Sequence, residues 1–154
     1  MKSRKFIAAI VGCALIGGSM ALAQTKPALE GVKCLLQAGK PANESKSVDY
    51  KDGKVYFCCD NCVKAFDAKK EDHATKGNVQ LVATKQYKQA ACPISGGKLD
   101  DSTAIEVAGV KVAFCCNNCK GTVAALKGDE QTKKVFGDEA FKKAKFEVVK
   151  EEKK

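Results

Sequence analysis

The stretch VYFCCDNC, Val55 to Cys62, returns 57 residues later as VAFCCNNC, Val112 to Cys119. Each copy sets two adjacent cysteines and a third three residues on, straight after an alternating apolar run. A further cysteine stands upstream of each cluster: Cys34 lies 24 residues before Cys58, and Cys92 lies 23 before Cys115. Four cysteines matched in number and order constrain a chain far more than a lone C-x-x-C does. They predict two like units, each of which brings its distant cysteine to its own cluster.

Within a copy the elements read from periodicity. SVDYKDGKVYFC alternates on both sides of Asp52-Gly53, a dipeptide suited to a tight hairpin turn. Val48 and Tyr50 fall on one strand, Val55 and Phe57 on the other. In the second copy Ile105 and Val107 oppose Val110, Val112 and Phe114 around Ala108-Gly109. Helices are expected next, capped by Asp60 or Asn61 and by Asn117 or Asn118, with Val63 and Phe66, and Val123 and Leu126, on their apolar faces. Gly128 reads as a helix stop. Residues 129–146 are expected to hold one or two further short helices, broken near Gly137. The repeat sets the apolar stretches Asn78–Val82 and Lys145–Val149 in correspondence, with about ten extra residues before the second.

The cysteines can be read in three ways. A C-x-x-C at a helix start converges two sulfurs on one point, and the free N–H groups there stabilise thiolates. Cys58 lies one helical turn from Cys62. Adjacent residues of a strand point to opposite faces, so Cys58 and Cys59 share an ion only if the strand ends between them. Cys34 or Cys92 completes a set of four, a donor set for Zn²⁺ and other soft ions. Four thiolates around a divalent ion leave two negative charges, which Lys54, Lys64, Lys111 and Lys120 can offset. The second reading is a disulfide framework, since an exported chain with an even number of cysteines commonly uses one. The third is thiol–disulfide redox work, which lacks the βαβ setting of a thioredoxin-like motif.

Export is inferred from residues 1–23. MKSRK is followed by an apolar run ending in Ala21-Leu22-Ala23, a small-x-small cleavage pattern. A permanent anchor fits less well, because Gly12, Gly17 and Gly18 interrupt a barely sufficient length. Lipidation at Cys13 after IVGC is a lesser alternative. Cleavage leaves 131 residues and eight of the nine cysteines, and lowers the formal net charge from +9 to +6. It also removes Arg4, the only arginine, and the chain has no tryptophan. The arginine forks and stacked aromatics of nucleic-acid recognition are therefore lacking, and the lysines read as a solvated surface.

The segment CPISGGKL, Cys92 to Leu99, followed by a hairpin and FCCNNC, resembles the YHS and TRASH group of small cysteine-rich metal-binding domains. CLLQAGKP with YFCCDNC resembles a more divergent copy. The likeness covers nearly the whole mature chain, in tandem. It implies ligands at Cys34, Cys58 and Cys62, and at Cys92, Cys115 and Cys119, and a role in handling, trafficking or sensing heavy metals. Many members carry a second cysteine in the first loop, where this chain has Gln37 and Ser95. Cys59 and Cys116 are expected to substitute as fourth ligands, and three-thiolate sites, which suit Cu⁺, remain the alternative.

The sequence thus predicts an α+β protein of two similar units, each a β-hairpin and a helix around a four-cysteine, zinc-finger or treble-clef-like site. A signal occupies 1–23, a linker 24–32, the first unit 33–85, and the second unit, with its extra helix and Lys-rich tail, 86–154. The expected function is metal binding in the periplasm or outside the cell, with one Zn²⁺ or Cu⁺ per unit. An envelope metal transporter or another protein is the expected partner, and neither nucleic acid nor a lasting membrane span is. The alternative is a stapled structural or interaction module. His73, the only histidine, reads as exposed surface. With no nucleophile signature, phosphate loop or paired carboxylates, the sequence argues against an enzyme.

Overall fold

The structure, a computed structural model, describes residues 28–149. The expected leader, Cys13 and the last residues of the lysine-rich tail lie outside the described residues.

The order is β1 (Asn43–Tyr50), β2 (Gly53–Phe57), α1 (Asp60–Ala68), α2 (Ala74–Ala83), β3 (Tyr87–Lys88), β4 (Asp100–Val107), β5 (Val110–Phe114), α3 (Asn117–Ala124), α4 (Gly128–Phe136), α5 (Asp138–Lys143) and β6 (Glu147–Val148). The mixed α+β character expected from the sequence is present. β1 pairs with β2, β4 with β5 and β3 with β6, all antiparallel.

The two long hairpins are built alike. Val48 faces Val55 and Ile105 faces Val112; past a bulge, Asn43 faces Phe57 and Asp100 faces Phe114. Each bulge opens on the same side-chain turn. The Asn43 Oδ1 accepts from the N–H and hydroxyl of Ser45, and the Asp100 Oδ1 from those of Ser102. This [Asn/Asp]-x-Ser pattern stands in register with the cysteine repeat. In the second copy the buried Thr103 fills the bulge: its Oγ1 accepts from the Phe114 N–H at 2.9 Å and lies 2.7 Å from the Phe114 carbonyl.

The turns differ from expectation at one place. Ala108 and Gly109 both take positive φ at the second hairpin tip, +51° and +77°. The first hairpin turns at Lys51-Asp52, with Lys51 at +53°, so that Tyr50 faces Gly53. Gly53 is needed for space: a Cβ there would stand 2.8 Å from both the Gln86 Oε1 and a Leu81 methyl.

Three further expectations are corrected. The helix caps are Cys59 and Cys116, each in extended backbone, so the helices begin one or two residues earlier than capping by Asp60 or Asn61 and by Asn117 or Asn118 predicts. Asn78–Val82 and Lys145–Val149 are not equivalent: the first lies inside α2, and the second contains β6. Gly128 opens α4 rather than closing α3. The two short helices broken at Gly137 are present as α4 and α5.

One apolar core runs beneath both halves, from Cys34 to Phe146, with Phe57, Phe66, Phe114 and Phe136 fully buried. α2 joins the halves. The buried Asn78 donates from Nδ2 to the Phe136 carbonyl at 2.8 Å, and its Oδ1 lies 3.3 Å from the Tyr50 hydroxyl. Gln86 and Tyr87, which the sequence puts at the head of the second unit, bond back to the first hairpin at Lys54 and Asp52. Among the described residues no helix is long and apolar enough to cross a membrane.

Candidate metal centres

In the first half, a tight loop presents Cys34. Lys33 bridges Pro41, and the Cys34 N–H donates to the Lys40 carbonyl at 2.9 Å. β2 ends at Phe57, so Cys58 already lies beyond the strand, Cys59 caps α1 and Cys62 sits in its first turn. The strand therefore ends one residue earlier than the shared-ion argument required, and both sulfurs are free to turn the same way. The sulfurs of Cys34, Cys58 and Cys62 all lie within 4.8 Å of one another. Cys59 stands outside that mutual trio, but its Sγ is 3.8 Å from Cys58 and 3.7 Å from Cys62, and Cys58 is 3.8 Å from Cys62.

The second half repeats this. Cys92 donates its N–H to the Gly97 carbonyl at 2.9 Å and accepts from Gly96 at 2.8 Å, a turn that Gly96 completes with a φ of +75°. The sulfurs of Cys92, Cys115 and Cys119 form the trio within 4.8 Å. Cys115 lies 3.7 Å from the Cys116 sulfur and 3.6 Å from that of Cys119.

These separations test the donor sets. A tetrahedron with Zn–S bonds of about 2.3 Å has sulfur–sulfur edges of about 3.8 Å. The 3.6–3.8 Å edges among the junction sulfurs match this, and Cys34 and Cys92 stand within 4.8 Å of two sulfurs of their own cluster, so the residues fit a thiophilic ion. All eight described cysteines are free thiols, and their sulfurs stand at nearly twice the disulfide length of about 2.05 Å.

The electrostatics divide each cluster. Burial raises the Cys92 thiol, but the Ser95 hydroxyl and the backbone at Ser95, Cys115 and Ile94 outweigh it and bring the group down to about 6. Cys34 is lowered in the same way: burial opposes, and the backbone at Cys58, Leu36 and Gln37 prevails. Cys59 and Cys116 are lowered by the amides of Cys62 and Cys119, the open ends of α1 and α3, although neither sulfur makes a cap hydrogen bond of full geometry. Cys62 and Cys119 are pushed up to about 12, first by desolvation and then by their sulfur neighbours. A bound cation removes that second cause, because the crowded sulfurs then share its charge.

Gln37 and Ser95 both stand beside sulfur. The Gln37 Oε1 lies 3.8 Å from the Cys58 Sγ. The Ser95 Oγ accepts from the Gly97 N–H at 3.1 Å and lies 3.1 Å from the Cys115 Sγ, leaving its proton for a thiolate. Phe57 and Phe114, each just before its cluster, are fully buried in the core. His73 is half-buried rather than exposed; it stacks on Phe66 at 6.3 Å between ring centroids and belongs to neither cysteine cluster.

Comparison of the chain with protein-family models, with curated proteins and with solved structures gave no match in any of the three.

Proposed function

We propose that this is an exported metal-binding protein, which holds one soft ion, Zn²⁺ or Cu⁺, in each cysteine cluster and passes it on. One observation carries the reading. In both halves a sulfur from a separate loop comes within 4.8 Å of two strand–helix junction sulfurs, which themselves stand at the 3.6–3.8 Å edge of a tetrahedral thiolate site. A cation offsets the repulsion between thiolates crowded this closely, since each raises the cost of ionising the next.

Each site takes four thiolates in a treble-clef-like arrangement, Cys34, Cys58, Cys59 and Cys62 in the first and Cys92, Cys115, Cys116 and Cys119 in the second. The likeness of CPISGGKL and FCCNNC to the YHS and TRASH group supports a part in metal handling, trafficking or sensing rather than catalysis. Exposure favours exchange over a closed structural site: Cys58, Cys59, Cys115 and Cys119 are half-exposed and Cys116 is exposed. The basic, apolar and small-x-small order of residues 1–23 supports periplasmic or secreted placement.

A three-thiolate Cu⁺ site is the second reading, favoured by the tighter mutual grouping of Cys34, Cys58 and Cys62 and of Cys92, Cys115 and Cys119. Elemental analysis of protein purified without added metal, with a thiol count in denaturant, tests both. Two ions and eight titratable thiols after chelation are expected; four disulfides and no metal would replace this reading with a stapled module. X-ray absorption then counts sulfur neighbours, four for the first geometry and three for the second.

A further inference from the structure

Each half contains a glutamine whose single side-chain amide joins the two cysteine-bearing segments. Gln80, on α2, accepts from the Tyr56 N–H at 2.6 Å and donates to the carbonyls of Tyr56 and Lys33, both at 3.0 Å. Gln89, just past β3, accepts from the Ala113 N–H at 3.0 Å and donates to the carbonyls of Ala113 at 2.9 Å and Ala91 at 3.0 Å. The targets correspond residue for residue. Lys33 and Ala91 immediately precede Cys34 and Cys92, and Tyr56 and Ala113 stand two residues before Cys58 and Cys115.

The two glutamines do not correspond in sequence. At the local repeat spacing, Gln80 aligns with Gly137 and Gln89 with Gly31. The same three bonds are thus made from opposite directions along the chain, once from a helix after the cluster and once from a segment before it. Only a carboxamide offers one acceptor and two donors in a plane of this size.

We propose that Gln80 and Gln89 are positioning residues, which hold the lone cysteine of each half at chelating distance from its cluster before an ion arrives. The proposal rests on the metal-binding reading for its purpose but not for its geometry. The halves differ in one respect. The Leu35 N–H also donates to the Tyr56 carbonyl at 3.3 Å, a second tie between the segments, whereas Pro93 occupies the equivalent place and has no N–H to give. The second site depends on its glutamine more than the first.

The test uses the reduced, full mature chain with Gln80→Met, Gln89→Met and, for folding tolerance at the half-exposed site, Gln89→Glu, which keeps the acceptor but sets oxygen against the carbonyls of Ala91 and Ala113. Cobalt titration, followed by the thiolate-to-metal absorption, is expected to show affinity reduced about 10- to 100-fold at the altered site alone, as for other groups that orient ligands. The loss should be larger for Gln89 than for Gln80. A metal-free readout accompanies it: oxidation by diamide, with disulfides mapped, should close Cys92 to Cys115 or Cys119 more slowly in both Gln89 variants, with Cys34 closure unchanged. Wild-type cobalt affinity and closure rates in all variants would overturn the positioning role. Slowed closure in a protein that binds no cobalt would uphold it and overturn the metal reading instead.

Discussion

The sulfur of Cys59 lies 3.7 Å from that of Cys62, across the open first turn of α1. A cysteine at a helix N-cap exchanges the oxygen that would satisfy the turn for a sulfur that the turn can only polarise. α1 and α3 both make this exchange, at Cys59 and Cys116, and neither gains a side-chain cap bond from it. An N-cap oxygen is ordinarily worth about 1 kcal/mol, so the exchange has a local cost that an ion held by these sulfurs would offset.

Replacement of cysteines therefore separates their roles. Cys62→Ser removes a member of the central trio and is expected to lower the metal content by one ion and to loosen the first half more than the second. Cys59→Ser restores a good N-cap and should stabilise the metal-free protein by about 0.5–1 kcal/mol, while weakening the first site. Denaturant unfolding after chelation, beside elemental analysis of the loaded protein, measures both. Full metal content in Cys62→Ser would refute the ligand assignment.

The lowered Cys92 thiol gives a pH signature. Its folded value of about 6 lies below the ordinary 9.0, so the folded state releases this proton first. The stability it contributes is complete above pH 9 and is lost as pH falls from 9 towards 6. Thiolate absorbance of the metal-free, reduced protein should rise near pH 6 and lose that step in Cys92→Ser. Ser95→Ala should move the step upward, because the hydroxyl leads the lowering causes. The stability gap between wild type and Cys92→Ser should widen from pH 6 to pH 9; a constant gap would show that Cys92 is not specially ionised.

Thr103 links the bulge of β4 to the end of β5, the residue before Cys115. Thr103→Val keeps the shape but leaves the Phe114 N–H without its partner. A loss of about 1–3 kcal/mol is expected for such a buried donor. Lys46 holds the corresponding place in the first half, so the effect should appear in the second site's metal affinity as well as in urea unfolding.

Asn78 tests whether the halves fold as one. Its bond to the Phe136 carbonyl is fully buried and spans the two. Wild type is expected to unfold in a single transition when metal-free, because one core serves both cysteine clusters. Asn78→Ala should lower the midpoint, with a cost of about 1–3 kcal/mol for the orphaned carbonyl. Two separated transitions in wild type would show independent units.

The legible part of this fold was local. Alternation around Asp52-Gly53 and Ala108-Gly109 announced both hairpins, though the first turns one residue earlier, at Lys51-Asp52, and the repeat spacing brought out eight cysteines that the structure gathers into two groups. The N-caps were misread because side-chain oxygens next door, at Asp60 and Asn117, are the stronger capping signal by themselves. Asn78–Val82 matched the strand-like Lys145–Val149 in composition, and its helical state became apparent only once Asn78, Gln80 and Leu81 were seen buried along α2.

By itself, the sequence determined which sulfurs are brought together. Cysteine spacing, strand alternation and the strand–helix break act over a few residues, where chain geometry leaves little freedom. Tertiary structure alone decided how the two distant cysteines are held in place. Gln80 and Gln89 reach equivalent backbone groups from unrelated positions, and a hydrogen bond depends on where an amide arrives in space, whatever path the chain took to bring it there.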